Sequence, residues 1–238
     1  MANVVRLGVG GRVAATCLGL VLSLFVASGC SDDATPPTNA ERDGGPPLDL
    51  PWEAVTVPGT LCRTGATTGY AINVNPNSDK LLIYLEGGGA CFNKLSCLQN
   101  PEEWIPSETT INANVVRTWV ISRAAANNPF RDWSLVYIPY CSGDVHTGTN
   151  PAGYMGQPQI GHTNIMLDIE DFKPKLPNLS QIVLSGTSAG GFGVAWNFAP
   201  VQDAFSSVPV YALDDSGPPM SAEYLTSCQQ QRIAPLWG

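Results

Sequence analysis

Residues 182–191 read Ile-Val-Leu-Ser-Gly-Thr-Ser-Ala-Gly-Gly, an apolar run that ends in a Gly-x-Ser-x-Gly motif at Gly186, Ser188 and Gly190. The apolar, β-branched run predicts a buried strand, and the motif predicts a sharp turn into a helix. Such a turn raises the serine hydroxyl above the edge of the sheet, and its glycines allow close backbone approach. Ser188 is therefore the candidate nucleophile of a serine hydrolase.

No histidine follows Ser188 in the sequence. The two histidines, His146 and His162, both precede it, whereas α/β-hydrolases order their triad as serine, acid, histidine. His146 follows a predicted strand on the same rim as Ser188, so it is a candidate for lining the substrate site or for an atypical base. His162 opens a predicted helix and is the weaker candidate.

Strand and helix patterns alternate along most of the chain. Apolar and β-branched runs predict six strands, at 54–57, 70–74, 81–86, 134–138, 181–185 and 208–213. Apolar residues spaced three or four apart predict three helices, at 115–126, 162–172 and 190–198. This order predicts an α/β fold with a largely parallel sheet and flanking helices, with ligands at the carboxyl ends of the strands.

A glycine-rich loop at 86–91 follows one predicted strand and is expected to meet the Ser188 turn at the same rim. Residues without side chains can direct backbone N–H groups at a developing negative charge. Gly88, Gly89 and Ala189 are therefore the candidate oxyanion donors. A glycine run alone is also typical of a plain tight turn, so the prediction depends on its pairing with the serine motif.

Four sequence blocks occur in a fixed order. They are Leu-Glu-Gly-Gly-Gly-Ala-Cys-Phe-Asn at 85–93 with Cys97, Val-Tyr-Ile-Pro-Tyr-Cys-Ser-Gly-Asp at 136–144, Gly-Thr-Ser-Ala-Gly-Gly at 186–191 and Asp-Asp-Ser-Gly at 214–217. Together they resemble the pectinacetylesterase/Notum family. The resemblance implies an α/β-hydrolase-like fold, carboxylic ester hydrolysis by a Ser-Asp-His triad and no cofactor. It also implies Ser188 as nucleophile, with Gly88, Gly89 and Ala189 as oxyanion donors.

The chain departs from the family pattern after Gly217. The family's catalytic aspartate and histidine follow its Asp-Ser-Gly block at a distance, whereas about twenty residues remain here. We therefore expect a C-terminally truncated esterase domain without the last strands and without the triad aspartate and histidine. The Asp-Asp-Ser-Gly block is expected to shape a turn. Asp144 and Asp215 are candidates for lining the substrate site, although Asp144 fits a loop-orienting role better.

The N-terminal residues predict export. Arg6 and Arg12 precede an apolar stretch at 14–27, and Ala-Ser-Gly-Cys at 27–30 resembles a bacterial lipobox. We expect a signal peptide at 1–29 and a lipid anchor on Cys30, since the apolar stretch falls short of the ~20 residues of a membrane span. Residues 30–51 are rich in proline and acid and predict a flexible tether. The remaining residues, 52–238, form one partial esterase domain, in an outer-membrane lipoprotein or a secreted protein.

Cysteine usage fits an exported protein. Cys17 would leave with the signal peptide and Cys30 would carry lipid, so five of the seven cysteines remain. Exported cysteines usually pair, and Cys91 and Cys97 are close enough to clamp a short loop. Their spacing lacks the further ligands of a zinc site, so no metal is expected. Three other cysteines are left unassigned: Cys62, Cys141 and Cys228.

The formal net charge of −8 argues against a nucleic-acid partner. The predicted function is a serine carboxylic ester hydrolase that removes acetyl groups from a pectin-type polysaccharide, or acts on another acyl ester. The alternative is a catalytically inactive envelope lipoprotein that binds a glycan or a lipid. A peptidase or thioesterase also stays open, because the serine motif does not specify the leaving group.

Overall fold

The computed structural model describes residues 47–104, 107, 110–111, 118–218 and 221–238, without the side chains of Ala222 and Cys228. The predicted signal peptide, the lipidated Cys30 and most of the tether lie outside these residues. Within them, no helix is long and apolar enough to cross a bilayer.

Six strands form one mixed sheet with the order β1-β2-β4-β3-β5-β6. Their bounds are β1 Glu53–Thr56, β2 Gly69–Asn73, β3 Lys80–Leu85, β4 Ser134–Ile138, β5 Gln181–Thr187 and β6 Val210–Asp215. The last four strands run parallel to one another. Strand β2 pairs antiparallel with β4 on one side and with β1 on the other. The predicted α/β fold with a largely parallel sheet is confirmed, and every predicted strand lies within two residues of its observed bounds.

In the described part of the chain, the α-helices with known bounds are α1 Lys94–Leu98, α2 Gly161–Phe172, α3 Ala189–Ala204 and α4 Ser227–Trp237, and residues 110–111 are also helical. Short 3₁₀ segments occur at Trp119–Ile121, Tyr154–Gly156, Lys173–Lys175 and Ala222–Tyr224. The helices predicted at 162–172 and 190–198 are confirmed as α2 and α3. Neither α1 nor α4 was predicted from the apolar spacing, because α1 is short and α4 is largely polar.

The helix predicted at 115–126 is wrong over its described residues. Only Trp119–Ile121 forms a 3₁₀ turn, and the chain from Ser122 onward is irregular; residues 115–117 lie outside the described part. The Asn128 side-chain amide donates to the carbonyl oxygens of Trp119, Val120 and Ser122. The Trp119 carbonyl oxygen also accepts from Ser122 N–H, as in a 3₁₀ turn. The Val120 and Ser122 carbonyls bind the Asn128 side chain instead of the N–H groups four residues on that a helix would supply.

The central strands separate two apolar cores. Leu81, Ile83 and Leu85 of β3 pack in the core that contains α2 and α3, while Leu82 and Tyr84 pack in the other. This alternation follows from the two-residue period of a strand. The β3 side chains are buried on both faces, as expected for a central parallel strand. In contrast, the edge strand β6 exposes its side chains from 211 to 215.

Two disulfides hold the loops at one end of the sheet. Cys91–Cys97 closes the short loop after β3, as predicted. Cys62–Cys141 joins the segment between β1 and β2 to the loop after β4, across a sequence separation of 79. The sequence left this second pairing open.

One carboxyl group of α2 is buried inside the protein. Asp168 is fully buried, and neither of its oxygens has a hydrogen-bond partner among the described residues. Burial, with a further contribution from nearby Asp171, raises the pKa of Asp168 well above its ordinary value. The native state therefore holds the proton of this carboxyl more tightly than the unfolded chain does.

We expect Asp168→Asn to raise the free energy of unfolding by more than about 1 kcal/mol at pH 8, because a buried carboxylate without a partner is costly. With a raised folded pKa, the stability contributed by this group is present below the unfolded pKa and is lost as the pH rises toward the folded pKa. The gain should therefore shrink at pH 4. Urea unfolding at both pH values measures it, with exposed Asp203→Asn as the control. An equal gain at both pH values would contradict the assignment.

Candidate active site

Ser188 lies at the turn between β5 and α3, with φ 57° and ψ −116°. A non-glycine residue in such a conformation costs about 1–3 kcal/mol and persists only where its surroundings fix it. Here the Ser188 N–H donates to the Asp215 carbonyl oxygen at 2.8 Å, and the Ser188 carbonyl accepts from Phe192 N–H at 3.1 Å. The residue is exposed, and within the described part of the chain its hydroxyl has no hydrogen-bond partner.

The glycines of the motif allow three backbone segments to meet below Ser188. A Cβ on Gly190 would lie 2.0 Å from the Leu85 carbonyl oxygen, and a Cβ on Gly186 would lie 2.4 Å from the Gly190 carbonyl oxygen. The first turn of α3 thus packs directly on the ends of β3 and β5. The Ser188 turn owes its shape to contacts that no larger residue can make.

The glycine loop after β3 lies against the Ser188 turn. A Cβ on Gly87 would lie 2.6 Å from the Thr187 carbonyl oxygen and 3.3 Å from Ser188 Cβ. Among the described residues, no acceptor pairs with the N–H groups of Gly88, Gly89 or Ala189. The N-terminus of the 16-residue helix α3 adds the positive end of its dipole here. The structure therefore brings the predicted nucleophile and the segments of all three predicted donors together.

Two side chains that the sequence did not single out hold the carbonyls of this loop. Asn100 Nδ2 donates to the Gly88 carbonyl oxygen at 2.7 Å. The Tyr140 hydroxyl donates to the Gly89 carbonyl oxygen and accepts from Val145 N–H, both at 2.8 Å. Burial, followed by the charge of Asp144, raises the pKa of Tyr140, so its hydroxyl keeps its proton. Tyr140 belongs to one of the four sequence blocks described above, whereas no sequence signal pointed to Asn100.

Neither histidine forms a hydrogen bond with Ser188 in the described structure. His146 is 2% exposed, and its Nε2 lies 2.8 Å from the Glu86 carbonyl oxygen, so Nε2 carries the proton and donates. Burial lowers the pKa of His146, which keeps the ring neutral. His162 Nδ1 lies 2.6 Å from Asn197 Oδ1, and Asn197 is about 13 Å along α3 from Ser188 at 1.5 Å per residue. Both rings serve packing between loops and helices in the described structure.

The candidate carboxylates have different surroundings. Asp144 is fully buried; its oxygens accept from Ser142 Oγ and from the N–H groups of His146, Gly148 and Gly161. These contacts fit the loop-orienting role and leave no surface for substrate. Asp215 is exposed beside Ser188, and its Oδ2 accepts from Thr187 Oγ1 at 3.1 Å.

Glu86, which the sequence did not single out, joins the ends of two strands. Its Oε2 accepts from Tyr140 N–H at 2.9 Å, and burial raises its pKa. Among the described residues, no three His, Cys, Asp or Glu side chains cluster closely enough to bind a metal.

Comparison with known families agrees with this geometry. Residues 52–232 match the pectinacetylesterase family. The chain belongs to that family. This pectinacetylesterase-family chain is 31% identical over 173 residues to the palmitoleoyl-protein carboxylesterase notum1a of Danio rerio, covering 66% of this chain and 33% of that protein. It is 32% identical over 100 residues to the inactive palmitoleoyl-protein carboxylesterase notum1b of the same fish, covering 38% of this chain and 67% of that protein.

The fold of the pectinacetylesterase-family chain is also similar to a solved structure, that of the Wnt deacylase Notum from Drosophila. The TM-score is 0.63 at 24% sequence identity, over 78% of this chain and 60% of that one. This likeness establishes the α/β-hydrolase-like fold. The chain spans about a third of the length of notum1a.

Proposed function

We propose that this chain provides the nucleophile and the oxyanion hole of a serine carboxylic ester hydrolase. One observation carries the proposal: an exposed serine in a strained strand-to-helix turn lies beside two segments whose N–H groups have no acceptor among the described residues. Unpaired amides next to a nucleophile suit the stabilisation of a tetrahedral oxyanion. A turn built only for packing would gain nothing from leaving them unpaired.

In the proposed reaction, Ser188 Oγ attacks the ester carbonyl carbon and its proton passes to a base. The resulting oxyanion accepts hydrogen bonds from Gly88, Gly89 and Ala189 N–H. The bond to the alcohol then breaks, the alcohol leaves with a proton, and water hydrolyses the acyl-enzyme. The base is a group other than His146 and His162, because neither ring is hydrogen-bonded to Ser188 in the described structure. The first is bound to the Glu86 carbonyl oxygen, and the second, on α2, to Asn197.

The proposed substrate is an acetyl ester on a pectin-type polysaccharide. The family supports an ester of a carboxylic acid, and the names of the Notum relatives show that an acyl group much longer than acetyl is accepted by some members. A lipid anchor on Cys30 and a tether at 30–51 would hold the domain outside the cytoplasm, where such polysaccharides occur. No cofactor is needed for this chemistry.

The second candidate is an inactive member that binds a glycan or lipid ester without turnover. The observation that favours it is the lack of a hydrogen-bonded base at Ser188 Oγ among the described residues. The relative named as inactive makes such a role a natural alternative within the family.

Labelling with a fluorophosphonate distinguishes the two. For an esterase, we expect one adduct on Ser188, located by peptide mass spectrometry, and hydrolysis of p-nitrophenyl acetate that falls at least about 10³-fold in Ser188→Ala. The exposed Ser206→Ala is the matched control and should label normally. The esterase proposal would be refuted if the native protein is not labelled. The binding role would be supported if, in addition, the native protein and Ser188→Ala bind acetylated pectin with equal affinity.

A further inference from the structure

The side chain of Asn100 reaches the glycine loop from a different segment of the chain. We propose that Asn100 is a positioning residue that aims the Gly89 N–H group at the oxyanion; this inference rests on the proposed esterase function. Asn100 touches no substrate. It acts through the peptide group between Gly88 and Gly89.

The direction of that peptide group follows from its planarity. The structure contains no cis peptide bond in its described part, and in a trans peptide the C=O and the following N–H point in opposite directions. Asn100 Nδ2 donates to the Gly88 carbonyl oxygen at 2.7 Å. Fixing this oxygen on the Asn100 side therefore turns the Gly89 N–H to the opposite side, away from Asn100.

Gly89 needs such a constraint because its backbone is otherwise free to rotate. It has φ +82°, a conformation that glycine enters and leaves at little cost. The Tyr140 hydroxyl fixes the next peptide group, since it binds the Gly89 carbonyl oxygen and thereby sets Ala90 N–H. Within the described structure, Asn100 is thus the side chain that fixes the peptide group carrying the Gly89 donor.

Asn100 is itself held rigidly. It is 6% exposed, and its backbone carbonyl oxygen accepts from Arg63 Nη2 at 2.9 Å. The same Arg63 nitrogen donates to the Cys97 carbonyl oxygen at 3.1 Å, and Cys97 is bonded to Cys91. Arg63, which is 2% exposed, thus binds the segment that carries Asn100. The Cys91–Cys97 disulfide joins this segment to the glycine loop.

The side-chain oxygen of Asn100 differs from its side-chain nitrogen in having no partner among the described residues. Its Oδ1 is buried with no hydrogen-bond partner among the described residues, which is unfavourable by about 1–3 kcal/mol. The bond from Nδ2 to the Gly88 carbonyl oxygen, at 2.7 Å, is therefore the contact that holds this side chain against the glycine loop.

The test compares Asn100→Ala and Asn100→Leu with Asn128→Ala. Leucine is close to asparagine in shape but has no donor for the Gly88 carbonyl. Asn128 is also buried and also binds backbone carbonyls, but it lies before β4, at the opposite end of the parallel strands. Rates are expressed per Ser188 titrated with fluorophosphonate, so that unfolded protein does not count.

We expect both Asn100 variants to lose about 10- to 100-fold in kcat, somewhat less than the 10²–10³ for deleting an oxyanion donor, with KM within about twofold of the wild type. A boronic acid that mimics the tetrahedral intermediate should bind more weakly by a similar factor. Asn128→Ala should lower the melting temperature and leave kcat per titrated site unchanged. Equal kcat losses in the Asn100 and Asn128 variants would overturn the proposal.

A second measurement is independent of esterase activity. In a crystal structure of Asn100→Ala, the Gly88–Gly89 peptide group should be rotated or should occupy more than one orientation. An unchanged peptide group would overturn the positioning role even if Ser188 proves to be an active nucleophile. If the wild type is not labelled at Ser188, the proposed function fails, and the crystal structure still decides whether Asn100 orients Gly89.

Discussion

The Gly190→Ala variant is expected to yield no folded protein. Its methyl group would lie 2.0 Å from the Leu85 carbonyl oxygen and 2.7 Å from the carbonyl carbon. These atoms belong to β3, which pairs with both β4 and β5, so relief would require moving α3 off the centre of the sheet. Because a clash with backbone cannot be relieved by a rotamer change, we expect a loss above about 4–5 kcal/mol.

Far-UV circular dichroism and the soluble yield measure this result. Gly65→Ala is the control: unlike Gly190, Gly65 has a positive φ, of +86°, and no atom lies within 4 Å of its added Cβ. It should fold with a loss of about 1 kcal/mol from backbone strain alone. A Gly190→Ala protein that unfolds at the wild-type urea concentration would show that α3 is not packed on β3 in this way.

Removing the Cys62–Cys141 disulfide by double substitution to alanine is expected to lower the free energy of unfolding by about 4–5 kcal/mol, on the loop-entropy relation. The bridge spans 79 positions, so it removes a large part of the freedom of the unfolded chain. Both cysteines also lie in the second apolar core. Urea unfolding followed by tryptophan fluorescence measures the loss.

The second disulfide provides the comparison within the same chain. Cys91–Cys97 spans six positions, so its double substitution to alanine should cost only about 2 kcal/mol by the same relation. The order of the two losses is the diagnostic result. If the short bridge proves to be worth more than the long one, loop entropy does not govern their contributions.

The strands could be predicted because each carries its signal within a few residues. β3 and β5 are buried on both faces and read as continuous apolar runs, which requires no knowledge of the rest of the chain. The helix predicted at 115–126 had suitable local spacing. It failed because the side chain of Asn128, which lies beyond that window, binds the carbonyls of Val120 and Ser122.

In the candidate site, too, the residues with a local sequence signal could be predicted and the others could not. Ser188 and the glycines could be identified because a turn with these residues is a local motif. The place of Asn100 could not, since its partner is a backbone carbonyl, and every residue supplies one. The same holds for His146: its ring donates to the Glu86 carbonyl, a contact that residue types do not encode. The sequence therefore indicated which residues lie near the rim of the sheet, but not which of their side chains are already engaged in hydrogen bonds.

The exposed edge strand β6 has a practical consequence for handling the protein. In the described part of the chain its outer edge is unpaired, and Tyr211 and Leu213 are 54% and 45% exposed. Such an edge invites strand-to-strand association of copies in concentrated solution. Asp214 and Asp215, at the end of the strand, oppose this by charge repulsion. Because salt screens that repulsion, colloidal stability should be best at low ionic strength.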